Sequence, residues 1–265
     1  MQKLGLCVKN LNILAELSGR NEKLIRDLSF SVLPGETLSI VGESGCGKTM
    51  TALAIFGLLP DNCKAGGEIL LNDINLLNLS KKKINDLRGN EIVYVPQSGA
   101  DFLNPSIKVK TQIYESLKKN GIKGRDNLKL KAKELLIRVG LDNPEVILDK
   151  YAFQLSGGQA QRVVLAISLA GNPKLVIADE PTKGIDKETA NKFLVALEEL
   201  FKDAAKIIIT HDISVASQNK NILVMGKGVL AEYGQSKDVL SNPKSDVTKN
   251  LLNSLPENLF KNARN

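Results

Sequence analysis

The sequence is poor in several residue types. Its 265 residues include no tryptophan, 4 tyrosines, 7 phenylalanines, 3 cysteines and a single histidine, His211. The cysteines (Cys7, Cys46, Cys63) are odd in number and follow no metal-ligand spacing. That argues against a disulfide framework or a zinc site and fits free thiols in a reducing compartment. No run approaches the ~18 consecutive apolar residues a bilayer-spanning helix needs. The start, MQKLGLCVKN, shows no apolar block followed by a small-residue cleavage site, so no secretory signal is expected. There is no internal repeat and no low-complexity segment. The net charge is +7, but the lysines are scattered and the tightest run, SKKKIND, is short. A solvated lysine face accounts for that without a polyanionic partner.

What is present is an alternation of strand-like and helix-like segments, the mark of an α/β fold. LCVKNL and RDLSFSVL read as early strands, PGE (Pro34–Glu36) as a turn and TLSIVG as a short buried strand. GEILLNDINL is a strand pair turning at Asn72-Asp73. From about Thr111 to Gly140 the spacing becomes helical, so a helical insertion divides the α/β core. The core resumes with the strand KLVIADEP, the helix KETANKFLVALEELFK and the strand AKIIITHD. It ends in a hairpin, NILVMGKGVLAEYG, turning at Gly226-Lys-Gly. A short helix and a frayed tail are expected after that.

Three stretches carry chemistry. GESGCGKT, comprising Gly42, Glu43, Ser44, Gly45, Cys46, Gly47, Lys48 and Thr49, fits the phosphate-loop pattern without a mismatch and lies between a strand and a helix. Its glycines let backbone N–H groups turn inward around phosphate oxygens, and the helix N-terminus adds about half a positive charge. Lys48 is expected on the β- and γ-phosphates and Thr49 on Mg²⁺. LVIADEP ends an apolar strand in two acids, which is costly unless a cation meets them. Asp179 is expected in the Mg²⁺ shell, with Glu180 polarising a water against the γ-phosphate. LSGGQAQR places Ser156, Gly157, Gly158 and Gln159 at a second helix N-terminus that has no lysine. One nucleotide does not need both devices, so the second is expected to serve a nucleotide held by another copy or a partner.

The order GESGCGKT, VPQ, LSGGQ, VIADEP, ITHD resembles the ATP-binding cassette (ABC) ATPases over nearly the whole chain. The resemblance implies a P-loop NTPase core with an N-terminal antiparallel β subdomain and an inserted α-helical subdomain. Residues 1–95 and 159–240 would form the nucleotide-binding core, 96–158 the helical subdomain and 241–265 a tail. It further implies a head-to-tail dimer with two ATP molecules, each between the phosphate loop of one subunit and the signature of the other. His211 falls where the family contacts the γ-phosphate and orients the catalytic water. Gln97 falls where a glutamine touches Mg²⁺ and water and senses the membrane partner, and Asp186 of GID falls at the aspartate that crosses the dimer interface. The stretch SGADFLNPSIKV and the tail SNPKSDVTKNLLNSLP are similar to those of peptide and nickel importer ATPases, although the tail has serine, asparagine and valine where His and Tyr usually stand.

The partners implied are a second ABC ATPase, identical or paralogous, two transmembrane permease subunits and an extracytoplasmic solute-binding protein. Nucleic acid is not among them. The chain would sit peripherally on the cytoplasmic side of the inner membrane. Two other readings fit the motifs: a soluble ABC protein acting on nucleic acid or the ribosome, and a low-activity cassette in a heterodimeric transporter. The cysteine cluster some of these ATPases carry near the C-terminus is absent, so no iron–sulfur site is expected. The aromatic that usually stacks on adenine is also absent: no aromatic precedes Phe30, and the equivalent position lies near Ala15. A base–aromatic stack is worth ~1–3 kcal/mol, so GTP should compete with ATP. Cys46, at a helix N-terminus, is either a reactive thiol or a small residue at a variable position.

Overall fold

The computed structural model describes residues 5–17, 19–97 and 99–254, without the side chains of residues 100 and 101. Along the chain run β1 (Leu6–Leu17), β2 (Arg20–Val32), β3 (Thr37–Gly42), α1 (Lys48–Phe56), β4 (Cys63–Leu71), β5 (Ile74–Asn75) and α2 (Lys81–Leu87). Then come β6 (Ile92–Val95), α3 (Gly99–Phe102), α4 (Val109–Lys119), α5 (Arg125–Arg138), α6 (Pro144–Asp149), α7 (Gly157–Ser168), β7 (Leu175–Asp179) and α8 (Lys187–Leu200). The chain continues through β8 (Ala205–Ile209), α9 (Ile213–Ala216), β9 (Asn221–Gly226), β10 (Val229–Gln235), α10 (Ser236–Ser241) and α11 (Asp246–Asn253). The frayed end expected after α11 lies outside the described residues from 255 onward. Contacts divide the chain into two compact units. One comprises the chain up to Ile84 and from Ala204, the other Asn85–Asp203.

In the first unit β3 is buried along its whole length and pairs in parallel with both β8 and β9, while β10 returns antiparallel on β9. Parallel strands are covered on both faces, so their sequences read as near-continuous apolar runs, as TLSIVG and AKIII do with Thr37, Ser39 and Lys206 buried among the apolar residues. Val41, Ile222 and Val224 of these strands share a core with Ile213, Val239 and Leu252, which docks α9, α10 and α11. A separate antiparallel sheet in the order β2-β1-β4-β5 carries the N-terminal strands.

The first two strands are longer than the sequence reading proposed. Asn10, Asn12 and Asp27 interrupt the apolar alternation in the sequence. The structure absorbs them in a bulge: Asn10 and Asp27 take φ of 48° and 47°, and Asn12 Nδ2 donates to Asn10 O at 2.8 Å and to Asp27 Oδ1 at 2.9 Å. Beyond the bulge Ile13 and Ala15 return to the buried face.

The second unit holds β6 and β7 as a parallel pair, with α7 against β6 and against α3, α4 and α5. Ala160 and the consecutive Val163, Val164, Leu165 and Ala166 are fully buried, so α7 is covered nearly all round in this stretch and held by packing. No helix among the described residues is long and apolar enough to cross a membrane.

Candidate functional site

β3 ends in the glycine loop and α1 begins at Lys48. Gly47, the residue before the helix, has φ 104° and no side-chain cap, so the first N–H groups of α1 are left to another acceptor. A Cβ on Gly47 would stand 2.3 Å from Ile25 Cδ1, and one on Gly42 2.2 Å from Met225 O. The loop is therefore seated on β2 and β9 with no room for side chains at either glycine. It is also tied to the β9–β10 turn: Gly228 N donates to Cys46 O at 3.1 Å, and Arg26 N donates to Gly228 O at 2.8 Å. Lys48 is buried, and its Nζ donates to Gly42 O at 2.8 Å and Glu43 O at 2.9 Å. The loop's own carbonyls thus hold the ammonium. Thr49 is exposed in the first turn of α1. Cys46 is 5% exposed, with its Sγ 3.8 Å from Lys48 Nζ.

His211 is exposed just past the end of β8. The parallel register pairs Ile40 with Ile209, so Gly42 and His211 leave the same end of adjacent strands. Thr210 N bonds Ile40 O at 3.1 Å, and Asp212 caps α9 by accepting from Ser214 N at 2.8 Å. The position proposed for an adenine-stacking residue, Ala15, is 2% exposed within β1 and paired with Glu22 and Cys63.

In the second unit Val95 pairs with Ala178, so Gln97 and Glu180 emerge at the same end of β6 and β7. Gln97 is exposed and Asp179 buried. Tyr94 OH donates to Asp179 Oδ2 at 2.9 Å. Burial first, then the Asp179 charge and this hydrogen bond, push the Tyr94 hydroxyl well above its ordinary value, so it stays protonated and donates. Glu180 takes φ 49°, a left-handed conformation costing about 1–2 kcal/mol for a residue with a side chain. Such strain persists where the surroundings over-determine it.

Ser156 starts α7 with a capping box: its Oγ accepts from Gln159 N at 3.2 Å, and Gln159 Oε1 accepts from Ser156 N at 3.2 Å. Gly157 is exposed, with open space around its missing Cβ. Asp186 caps α8, accepting from Thr189 N at 2.9 Å. The hydrogen bonds to Thr189 hold its carboxyl below the usual range. Sequence reasoning missed Tyr94, Ile25 and Gly228. Each acts on the motifs through a contact far along the chain, and no local pattern signals it.

The family model described as ABC transporter matches residues 25–183. The chain belongs to the ABC transporter family. The metal-staphylopine import system ATP-binding protein of Staphylococcus aureus is 36% identical over 252 residues, 94% of this chain and 92% of that protein. The oligopeptide transport ATP-binding protein of Bacillus subtilis is 39% identical over 254 residues, 94% of this chain and 71% of that protein. A dimeric ATP-binding cassette solved in a post-hydrolysis state with ADP and Pi superposes with TM-score 0.77 at 26% identity, over 87% of this chain and 98% of that one. The fold of the present ABC protein is that of the ABC ATPase cassettes, and its activity is ATP hydrolysis.

Proposed function

We propose that the chain is the ATP-hydrolysing subunit of an ABC importer of the peptide or metal-chelate class, the nickel type included. The observation that carries this reading is similarity over 94% of the chain to ATP-binding proteins named for oligopeptide and metal-staphylopine import. The working assembly is a head-to-tail pair of cassettes on two transmembrane permease subunits, served by an extracytoplasmic binding protein. It sits at the cytoplasmic face of the membrane. Residues 1–95 and 159–240 act as the nucleotide-binding core, 96–158 as the helical subdomain that carries motion to the permeases, and 241–265 as a tail.

The donor set fits Mg²⁺: a threonine hydroxyl (Thr49), a glutamine amide (Gln97) and a buried carboxylate (Asp179) are hard oxygen ligands. No group of three His, Cys, Asp or Glu side chains gathers among the described residues as a metal site. That suits an ion held largely by phosphates and water. Thr49, Gln97 and Asp179 would hold Mg²⁺, which when bound would offset the charge of the phosphates. The open N–H groups of the phosphate loop bind the phosphates, and Lys48 leaves the loop carbonyls for the β- and γ-oxygens. Glu180 takes the proton of a water as its oxygen bonds the γ-phosphorus, and the bridging oxygen departs with ADP. His211 holds the γ-phosphate and orients that water. Ser156, Gly157, Gly158 and Gln159 close the site on the nucleotide of the opposite cassette, with Asp186 at the interface.

The test is steady-state ATPase activity of the purified protein against Glu180→Gln, with dimerisation followed by sizing in ATP and Mg²⁺. A dead variant that still dimerises supports the reading, and a variant that still turns over removes Glu180 as the base. A wild type that neither hydrolyses nor dimerises alone identifies a heterodimer with a paralogous cassette.

A further inference from the structure

The turn after Glu180 is held from the signature helix. Gln161, near the start of α7, is 4% exposed, and its Nε2 donates to the carbonyl of Pro181 at 2.6 Å. The other end of the amide, Oε1, is buried with no hydrogen-bond partner among the described residues. The orientation follows from chemistry: a flipped amide would set two acceptors against each other. Leaving a buried amide oxygen unsatisfied is costly. An apolar side chain of the same size would fill this volume without that cost, so what distinguishes glutamine here is the hydrogen bond it donates.

That bond lands beside the strained residue. Pro181 follows Glu180, whose φ is 49°, and Lys183 N donates to Glu180 O at 3.1 Å to close the turn. The same point of α7 is pressed from another side. A Cβ on Gly99, two residues after Gln97, would stand 2.6 Å from Gln161 N and 2.8 Å from Gln161 Cα. One residue thus joins the segment that follows Gln97, the signature helix and the turn carrying Glu180, all within one compact unit.

We propose that Gln161 is a positioning residue for hydrolysis: through Pro181 it holds the backbone of Glu180 and passes displacement of the signature helix to that carboxylate. The proposal rests on Glu180 being the base. When the start of α7 shifts as it docks on the nucleotide of the opposite cassette, the Pro181 carbonyl moves with it. The carboxylate is then aimed only in the closed pair.

The test compares the full chain with Gln161→Met, which keeps the volume and removes the donor. In the nucleotide-free protein, hydrogen exchange at Lys183 N should quicken in the variant. ATP binding and KM should stay within about twofold, while kcat falls about tenfold, the scale of one lost hydrogen bond. Unchanged exchange and unchanged kcat overturn the proposal, as does a loss confined to ATP binding and KM. Gln161→Glu supplies a second readout if the methionine variant does not fold. Its buried carboxyl titrates above the usual carboxylate range and donates only when protonated. Its kcat relative to wild type should therefore climb as pH is lowered, and parallel pH profiles overturn the proposal. A Glu180→Gln chain that still turns over would remove the base and this proposal together. A dead Glu180→Gln chain beside a fully active Gln161→Met chain would remove the proposal alone.

Discussion

Two of the helices in this protein have glycine at their starts, Gly47 before α1 and Gly157 opening α7, and they are finished differently. α1 follows Gly47, which has φ 104° and supplies no side-chain cap, and a buried lysine lies folded on the loop beside it. α7 follows Ser156, whose side chain and that of Gln159 satisfy each other's backbone in a capping box, and no lysine is near it in sequence. An unsatisfied helix start with a cation at hand is built to take a charged ligand into itself. A capped start is stable alone and presents only what the cap leaves over, here the open backbone at Gly157. In the proposed assembly this difference would separate the end that holds ATP from the end that recognises ATP already held.

The largest expected effect separates the two ends in one experiment. Lys48→Ala should weaken ATP binding by about 100-fold or more, since a charge-assisted contact to phosphate and a buried packing stem are lost together. Ser156→Ala should leave ATP binding by the isolated chain nearly unchanged while lowering ATPase activity. Fluorescent-nucleotide titration beside a turnover assay measures both. If Ser156→Ala lost ATP binding as severely, the two ends would not divide the work.

A smaller effect separates them in stability. Gly47→Ala forces a Cβ into Ile25 Cδ1 at 2.3 Å on a backbone with φ 104°, so it should unfold the loop locally and remove phosphate binding. Ile25→Ala, which empties the fully buried seat beneath the loop, should cost about 2–5 kcal/mol. Loss of the Ser156 cap should cost about 1 kcal/mol. Thermal melts of the variants rank these, and an Ile25→Ala chain as stable as Ser156→Ala would show that the loop is not seated on β2.

Much of this contrast was legible in the sequence. GESGCGKT and LSGGQ announce themselves because the need is local: consecutive residues must turn backbone N–H groups one way. β3, β7 and β8 are legible because burial on both faces leaves near-continuous apolar runs, whereas β6, a short run inside NEIVYVPQ, is not. The seat of the loop was not legible, since Ile25 and Gly228 reach Gly47 and Cys46 from distant segments. Nor was the hold on the acids, because Tyr94 and Gln161 meet Asp179 and Pro181 across separate elements. β1 runs on past LCVKNL to Leu17 because Asn12 bonds Asn10 and Asp27 inside a bulge, and the contact to Asp27 comes from another strand.

A third helix start sharpens the comparison at the smallest scale. α11 is capped by its own Ser245, which accepts from Thr248 N at 3.0 Å, and it also borrows a carboxylate from β10. Glu232 accepts from Lys244 N at 3.0 Å, Ser245 N at 3.0 Å and Thr248 Oγ1 at 2.7 Å. Partial burial alone would raise the Glu232 carboxyl, but the hydrogen bonds from Ser245, Thr248 and Lys244 outweigh it and hold the group below its ordinary value. A carboxyl lowered in the folded state adds stability that is fully present above its unfolded pKa of about 4.3. That stability is lost as pH falls through the lower folded value. Acid should therefore release α11 from β10 before it disturbs α7, whose box uses only a hydroxyl and an amide. Hydrogen exchange followed from neutral pH to below about 4 should show α11 amides opening first, and Glu232→Gln should flatten that dependence. Simultaneous opening of α7 and α11 would mean that packing, not the borrowed carboxylate, sets the order.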